Sequence, residues 1–350
     1  MDHFACLAPM TLFARCLSTP PVPCLLPHLT LVLPFPVPHH VSVTSSSALK
    51  LPTFDACVLP GVTTVLLLIR RHHPEMAPKR IGIVGYGHLG KYLAEKVKES
   101  PDLELAFVWN RTTSLVENDL EDKYICRDLE NCSMFSPDLI VEVAHPAISK
   151  KFGPMFLEVA DYLIGSPTAL ASQEVETSLR DAAAMQGLYI PAGAFWGTED
   201  IMKMADEGTL KDLKVTMIKH PSCFKLQGEL YSKNEQICEE TAVTLYEGSV
   251  RTLCPLAPNN VNTMAAAAMA AHNLGFDGVQ GCLIADPQLR EWHIVEIEVT
   301  GPEIAGRKFS VKTTRQNPAN LRAVTGTATY ASFLSSVKRA GGKGPGVHFC

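Results

Sequence analysis

Residues Gly85-Tyr86-Gly87-His88-Leu89-Gly90 lie between a short β-branched run, Arg80–Val84, and a stretch, Lys91–Ser100, whose Tyr92, Leu93 and Val97 recur at helical spacing. Strand, glycine turn and helix in that order constrain the fold more than anything else in the chain. Gly85 lets the chain turn tightly, Gly87 lets the backbone approach a pyrophosphate, and Gly90 lets the helix lie close to the strand. The helix start offers free N–H groups and a positive dipole end to the phosphates. A GxGxxG turn by itself is weak, because ordinary tight turns use it too. Here a second apolar run, Leu103–Trp109, completes a βαβ unit about twenty residues past the loop, the context that a dinucleotide site requires. Gly85, Gly87, His88, Leu89 and Gly90 are therefore candidate cofactor contacts.

The end of that second run bears on the cofactor. An acid there would hold the ribose 2′-hydroxyl and repel a 2′-phosphate. This chain has Asn110 and then Arg111. The amide can bond the hydroxyl, and the guanidinium can either grip a phosphate or remain a solvated loop charge. Both NAD and NADP fit.

An alternating rhythm continues with strands expected at Leu139–Val143, Tyr162–Ile164 and Leu188–Pro191 and helices at Ser149–Val159 and Gln173–Gln186. Loops follow the strand ends, where ligands sit in doubly wound sheets. His145 in the first of them is expected to cap the following helix rather than to reach a ligand. Beyond residue 200 the pattern becomes longer and alternating: Leu213–Ile218, Ala242–Tyr246, Gly281–Ala285, Trp292–Val299 and Lys308–Lys312 predict a mixed or antiparallel sheet. Asn259, Asn260 and Asn262 precede an alanine-rich helix, Met264–Ala271; one of them is expected to cap it and another is free to face a ligand. His220 and His293 are the histidines suited to carry a proton, and the residues alone do not rank them. No HExxH, GxSxG or GxxxxGK[ST] pattern occurs, and no ligand set converges on a metal.

Composition divides the chain near Met76. The first 75 residues hold 11 of the 25 prolines, one of the 23 glycines and only three acids, Asp2, Asp55 and Glu75. Pro34–Pro38 suits neither a helix nor a central strand. The apolar run Val58–Ile69, at 12 residues, is too short for a bilayer of roughly 30 Å. Met1–Leu7 lacks the basic start of a secretory signal, and Arg15 alone among the first 49 residues is thin support for a mitochondrial address. The reading adopted for 1–75 is a disordered or atypical proline-rich extension. A net charge of −5 gives no footprint for nucleic acid or an anionic membrane. Eleven scattered cysteines without a CxxC pair fit reduced thiols in a cytoplasmic setting, with mitochondrial targeting left open.

From Ile81 to Val337 the chain resembles the L-aspartate dehydrogenase family. The resemblance rests on residues 82–90, Ala106–Arg111, Asp138–Pro146, Gly165–Leu170, Ala192–Gly197, Leu245–Val250, Ala257–Ala268, Leu274–Val279, Ile284–Pro287 and His293–Val299, in order over most of the chain. It implies an α/β fold: an N-terminal Rossmann-type doubly wound domain, then an α/β substrate or dimerisation domain, usually assembled as a homodimer. The corresponding boundaries are 76–198 for the first domain, 199–315 for the second, and 316–350 for a C-terminal helix and tail packing back on the first. It also implies NAD(P)-dependent oxidative deamination of L-aspartate, with His293 as the active-site residue. Members commonly carry Asn-x-His where this chain reads Glu291-Trp292-His293. Two cofactor contacts carry over, Ala194 and Asn262; Trp196 stands in place of a glycine and is expected to narrow that pocket. Lys219 maps to the family's lysine, with His220 inserted before Pro221. Lys219, His220, Asn260 and Thr263 are candidates for the substrate carboxylates, although a snorkelling surface position is the simpler account of Lys219. A related oxidoreductase with another substrate, or a dinucleotide-binding sensor without turnover, are the rival readings.

Overall fold

The computed structural model describes residues 29–32, 55–57, 64–68, 77–238 and 241–350 of the 350-residue chain. They fall into two units, Met1–Met76 and Ala77–Cys350. Where composition predicts an extension without regular structure, the described residues of the first unit form three short strands. Leu29–Val32 and Asp55–Cys57 each pair antiparallel with Thr64–Leu68. Each is a proline-free piece, in which no backbone donor is missing from the ladder. Pro34–Pro38, part of the Val58–Ile69 run and the residues behind both targeting readings lie outside the described residues.

The second unit opens on β1 (Lys79–Val84), α1 (His88–Glu99) and β2 (Leu103–Trp109). It continues through β3 (Leu139–Glu142), α2 (Pro146–Val159), β4 (Asp161–Ile164), α3 (Gln173–Ala182) and β5 (Gly187–Ile190). The inner strands read as unbroken apolar runs because helices cover both sheet faces: all four residues of β3 and of β5 are buried. On one face Leu93 and Val97 of α1 pack with Ile81 and Ile83; on the other Phe156, Leu157 and Leu179 close the core.

The following elements are α4 (Thr198–Asp206), β6 (Asp212–Lys219), α5 (Gly228–Glu235), β7 (Val243–Ser249), α6 (Asn262–Ala270), β8 (Gln280–Ala285), β9 (Trp292–Ile304) and β10 (Arg307–Pro318). Their strands form a five-stranded mixed sheet in the order β7-β8-β6-β9-β10, parallel only between β8 and β6. β9 alternates buried and half-buried residues from His293 to Thr300, so one face is core and the other is wetter. α6 is an alanine helix buried from Met264 to Ala270, lying inside the unit rather than on its surface.

The chain then returns to the first sheet with α7 (Thr327–Arg339) and β11 (Gly346–Phe349). β11 pairs parallel with β5, which makes a six-stranded parallel sheet in the order β11-β5-β4-β3-β1-β2. Phe333 and Val337 of α7 join the Ile81–Leu93 core, and Tyr330 meets Tyr92 edge-on with ring centroids 5.3 Å apart. Strand order reverses at β1, with β2 on one side and β3 on the other. The crevice at the carboxyl ends of β1 and β3 is where such a sheet binds its ligand.

Candidate active site

Three glycines of the loop after β1 have three different environments. Gly85 has φ +114°, and a Cβ there would lie 2.9 Å from Ala144 N in the loop after β3. At Gly90 a Cβ would stand 2.0 Å from the Gly85 carbonyl oxygen. Both are required by the packing of the protein itself. Gly87 is different: its φ is −78°, open to any residue, and a Cβ would meet nothing within 4 Å. Neither backbone conformation nor packing requires that glycine, so what it leaves room for is a ligand. His88 is exposed at the start of α1 and Leu89 is half-buried beside the crevice. Asn110 Oδ1 accepts from Tyr86 N at 3.2 Å and its Nδ2 donates to the Thr112 carbonyl at 3.0 Å, tying the end of β2 to the loop. Arg111 is exposed.

The loop after β3 is fixed by a carboxyl group. Glu142 is fully buried; its oxygens accept from Ala144 N at 2.7 Å, His145 N at 2.8 Å and Ser166 N at 2.9 Å. Burial raises its pKa to about 7 in spite of these donors. His145 caps α2, with Nδ1 accepting from Ala147 N at 3.1 Å.

A cavity of about 130 Å³ lies between the two sheets, lined by Leu89 and Gly165 from the first and by Lys219, His293 and Asn317 from the second. Its floor follows from register. His293 on β9 stands opposite Asn317 on β10, and Ile294 stands opposite Ile218 on β6, which brings Lys219 beside His293 on the same sheet face. Lys219, His293 and Asn317 are 3%, 4% and 5% exposed. Asn262 and Thr263 from the start of α6, and Ala194 from the loop after β5, complete the wall.

The electrostatics of this floor are unusual. Lys219 donates to the Val324 carbonyl at 3.0 Å and lies 5.8 Å from the Phe224 ring centre, with no carboxylate partner among the described residues. Burial lowers its pKa to about 8. His293 is pushed down to about 3, first by burial and then by the charge of Lys219, so it is neutral at physiological pH. Its Nε2 and the Oδ1 of Asn262 are buried without hydrogen-bond partners. Buried polar atoms are nearly always satisfied, and two orphans on one cavity mark a ligand position.

Several expectations change here. Lys219 is not a snorkelling surface lysine, because β6 ends inside the unit. His220 does not line the cavity; it caps the turn Pro221–Cys223, its Nδ1 accepting from Ser222 N at 3.2 Å. Asn260 reaches the wall, but its amide braces backbone, accepting from Lys225 N at 2.8 Å and donating to the Cys223 carbonyl at 3.3 Å. No asparagine caps α6: Val261 holds that position and Asn262 is already the first helical residue. Trp196 is 66% exposed and lines an outer groove, so it does not narrow the cavity.

Residues 85–191 match the family model described as homoserine dehydrogenase, NAD binding domain, and residues 200–336 match aspartate dehydrogenase, C-terminal. The aspartate dehydrogenase domain-containing protein of Xenopus tropicalis is 55% identical over 278 residues, 77% of this chain and 98% of that protein. The chain belongs to the aspartate dehydrogenase family. Within that family, the L-aspartate dehydrogenase of Methanococcoides burtonii is 28% identical over 74% of this chain and 96% of its own length. The crystal structure of aspartate dehydrogenase from Thermotoga maritima shares the fold, with a TM-score of 0.56 and 20% identity over 76% of this chain and 98% of that one. The family assignment makes the first domain of the second unit an NAD(P)-binding domain and the protein a dehydrogenase.

Three residues of this neighbourhood escape sequence reasoning. Glu142 carried one signal, an acid closing an otherwise apolar strand, Leu139-Ile140-Val141-Glu142. Asn317 carries none, because the alternating run predicts a strand only as far as Lys312 whereas β10 continues to Pro318. Arg315, two residues before it, donates to the Gly193 carbonyl at 3.0 Å and to Asn317 Oδ1 at 2.8 Å, holding the loop that carries Ala194.

Proposed function

We propose that this protein catalyses the NAD(P)-dependent oxidative deamination of L-aspartate to iminosuccinate, which water converts to oxaloacetate and ammonia. The observation that carries this reading is the buried ammonium of Lys219, without a carboxylate partner among the described residues and beside a neutral imidazole, in a cavity that Leu89 of the glycine loop also lines. A buried cation of this kind is stabilised by an anionic ligand. A dicarboxylic amino acid brings two carboxylates and an amine whose proton must move. The Methanococcoides burtonii relative is an L-aspartate dehydrogenase by name, which supports the same substrate.

The residues present fit a dinucleotide, because Gly87 leaves open space at the loop and Asn262 Oδ1 is an acceptor suited to a carboxamide N–H. Gly85, Gly87, His88, Leu89 and Gly90 would hold its phosphates, Asn110 its ribose hydroxyls, Arg111 a 2′-phosphate where the dinucleotide carries one, and Ala194 and Asn262 its nicotinamide end. When bound, the cofactor supplies the two-electron acceptor.

Lys219 binds a substrate carboxylate, with the hydroxyl of Thr263 a further donor on the same wall. The substrate amine arrives protonated, and the electrons of the Cα–H bond leave only once the nitrogen lone pair is free to form the C=N bond. Nε2 of His293 accepts that proton. Burial is the first cause of the low His293 pKa and the charge of Lys219 the second; a carboxylate bound against Lys219 offsets that second part and raises the affinity of the imidazole for a proton. Once that proton has passed to solvent, the same nitrogen is free to take a proton from the water that attacks the imine carbon.

The purified full-length chain, given a panel of amino acids with NAD+ and NADP+, is expected to reduce cofactor with L-aspartate. His293→Ala should lower kcat by about 10²- to 10⁴-fold and leave cofactor affinity intact. An unchanged rate removes His293 from the mechanism, and turnover on a different amino acid alone replaces the substrate. The protein works as a homodimer in this proposal. Trp196, Phe309 and Val311, exposed at 66%, 49% and 42%, border an apolar groove on the outer part of the second sheet and offer the contact surface.

A further inference from the structure

In a βαβ nucleotide unit the adenosine ribose lies against the end of the second strand. A carboxylate there bonds the ribose hydroxyls and excludes a 2′-phosphate. β2 ends instead on Asn110, a neutral amide already bonded to the Tyr86 N–H and the Thr112 carbonyl. No carboxylate occurs in the chain between the end of β2 and Glu117.

The charges that follow are balanced in all cases but one. Lys123 pairs with Glu121 at 3.0 Å, and Arg127 pairs with Asp122 at 2.6 Å and Glu117 at 3.2 Å. Asp119 is taken by Lys91 of α1 at 2.6 Å, and Asp128 accepts from Glu130 N at 3.1 Å. Every carboxylate from Asn110 to Asp128 thus has another partner. Arg111 is exposed and makes no ion pair or hydrogen bond to any described residue; the hydroxyls of Thr112 and Thr113 make no hydrogen bond either. An unbalanced guanidinium with two free hydroxyls, one step past the ribose position, has the chemistry of a subsite for a phosphate dianion.

We propose that the chain selects the 2′-phosphorylated dinucleotide, NADP(H), and that Arg111 grips the 2′-phosphate with Thr112 and Thr113 beside it. This deepens the reading of the nucleotide half and does not depend on which amino acid is oxidised.

Binding of NADPH and NADH to the full chain, followed by nicotinamide fluorescence, tests it. The chain should bind NADPH about 10-fold or more tightly than NADH. Arg111→Ala should weaken NADPH by about 10- to 100-fold and leave NADH within about twofold, which also shows that the variant is folded. Arg111→Glu should invert the preference, and 2′,5′-ADP should displace NADPH far better than 5′-ADP does. Equal affinities in the unaltered chain, or parallel loss of both cofactors in Arg111→Ala, overturns the proposal. NADPH selectivity without turnover on L-aspartate leaves it standing and sinks the substrate reading alone.

Discussion

Lys219 and His293 are cross-strand neighbours on β6 and β9, buried on one sheet face, and a proton on one lowers the affinity of the other for its own. For Lys219 the folded pKa of about 8 lies below the ordinary 10.5. Below pH 8 the folded state carries the full cost of an ammonium out of water. That cost is relieved as the pH rises from about 8 towards 10.5, where the unfolded chain binds more protons than the folded one. Substrate capture has the opposite dependence, because only the charged amine attracts a carboxylate. Across this window, therefore, kcat/KM for L-aspartate should fall while stability against urea rises. Lys219→Met should raise KM by about 100-fold and abolish both trends. A pH profile of Lys219→Met that matches the unaltered protein would remove the lysine from substrate binding.

The turn between β1 and α1 separates what a glycine does for the fold from what it does for a ligand. Gly90→Ala drives a methyl into the Gly85 carbonyl, a backbone atom that cannot step aside. Its thermal midpoint and its cofactor affinity should fall together. Gly87→Ala meets open space at an ordinary φ. Its midpoint should stay close to that of the unaltered protein, since the loss at an N-cap is about 1 kcal/mol or less, while cofactor affinity drops about 10-fold or more. Calorimetric melting and titration of the two variants check the contrast, and a Gly87→Ala protein that binds cofactor normally would mean the pyrophosphate lies elsewhere. Periodicity located most elements well. β1, β2 and β8 stand within a residue or two of their apolar runs, since a strand buried on both faces is written in consecutive residues. Ends set by long-range pairing were missed: β10 runs on to Pro318 because β9 offers it partners as far as Trp292.

On the scale of the whole molecule the chain threads the first domain, builds the second and comes back. α7 and β11 close the first sheet, and the cavity takes a wall from this return through Phe333 and Thr329. The outer part of the second sheet is left with Trp196, Phe309 and Val311 in solvent. For the homodimer proposed above, light scattering of the unaltered protein should give twice the mass of one chain, and Phe309→Glu should give one. A single-chain mass for the unaltered protein would rule that surface out as a contact between copies.

The βαβ unit, the three glycines, the order of apolar runs and the histidine near the start of β9 are legible in the amino-acid sequence alone. All of these are properties of neighbours along the chain, expressed at periods of two and 3.6 residues. Packing alone settles that Lys219 is buried without a carboxylate partner among the described residues, that His220 stays outside as a turn cap, that Asn262 keeps an unused acceptor, and that Asn317 joins them. Exposure and the pairing of charges depend on which distant segments pack against a residue, and no local pattern records that.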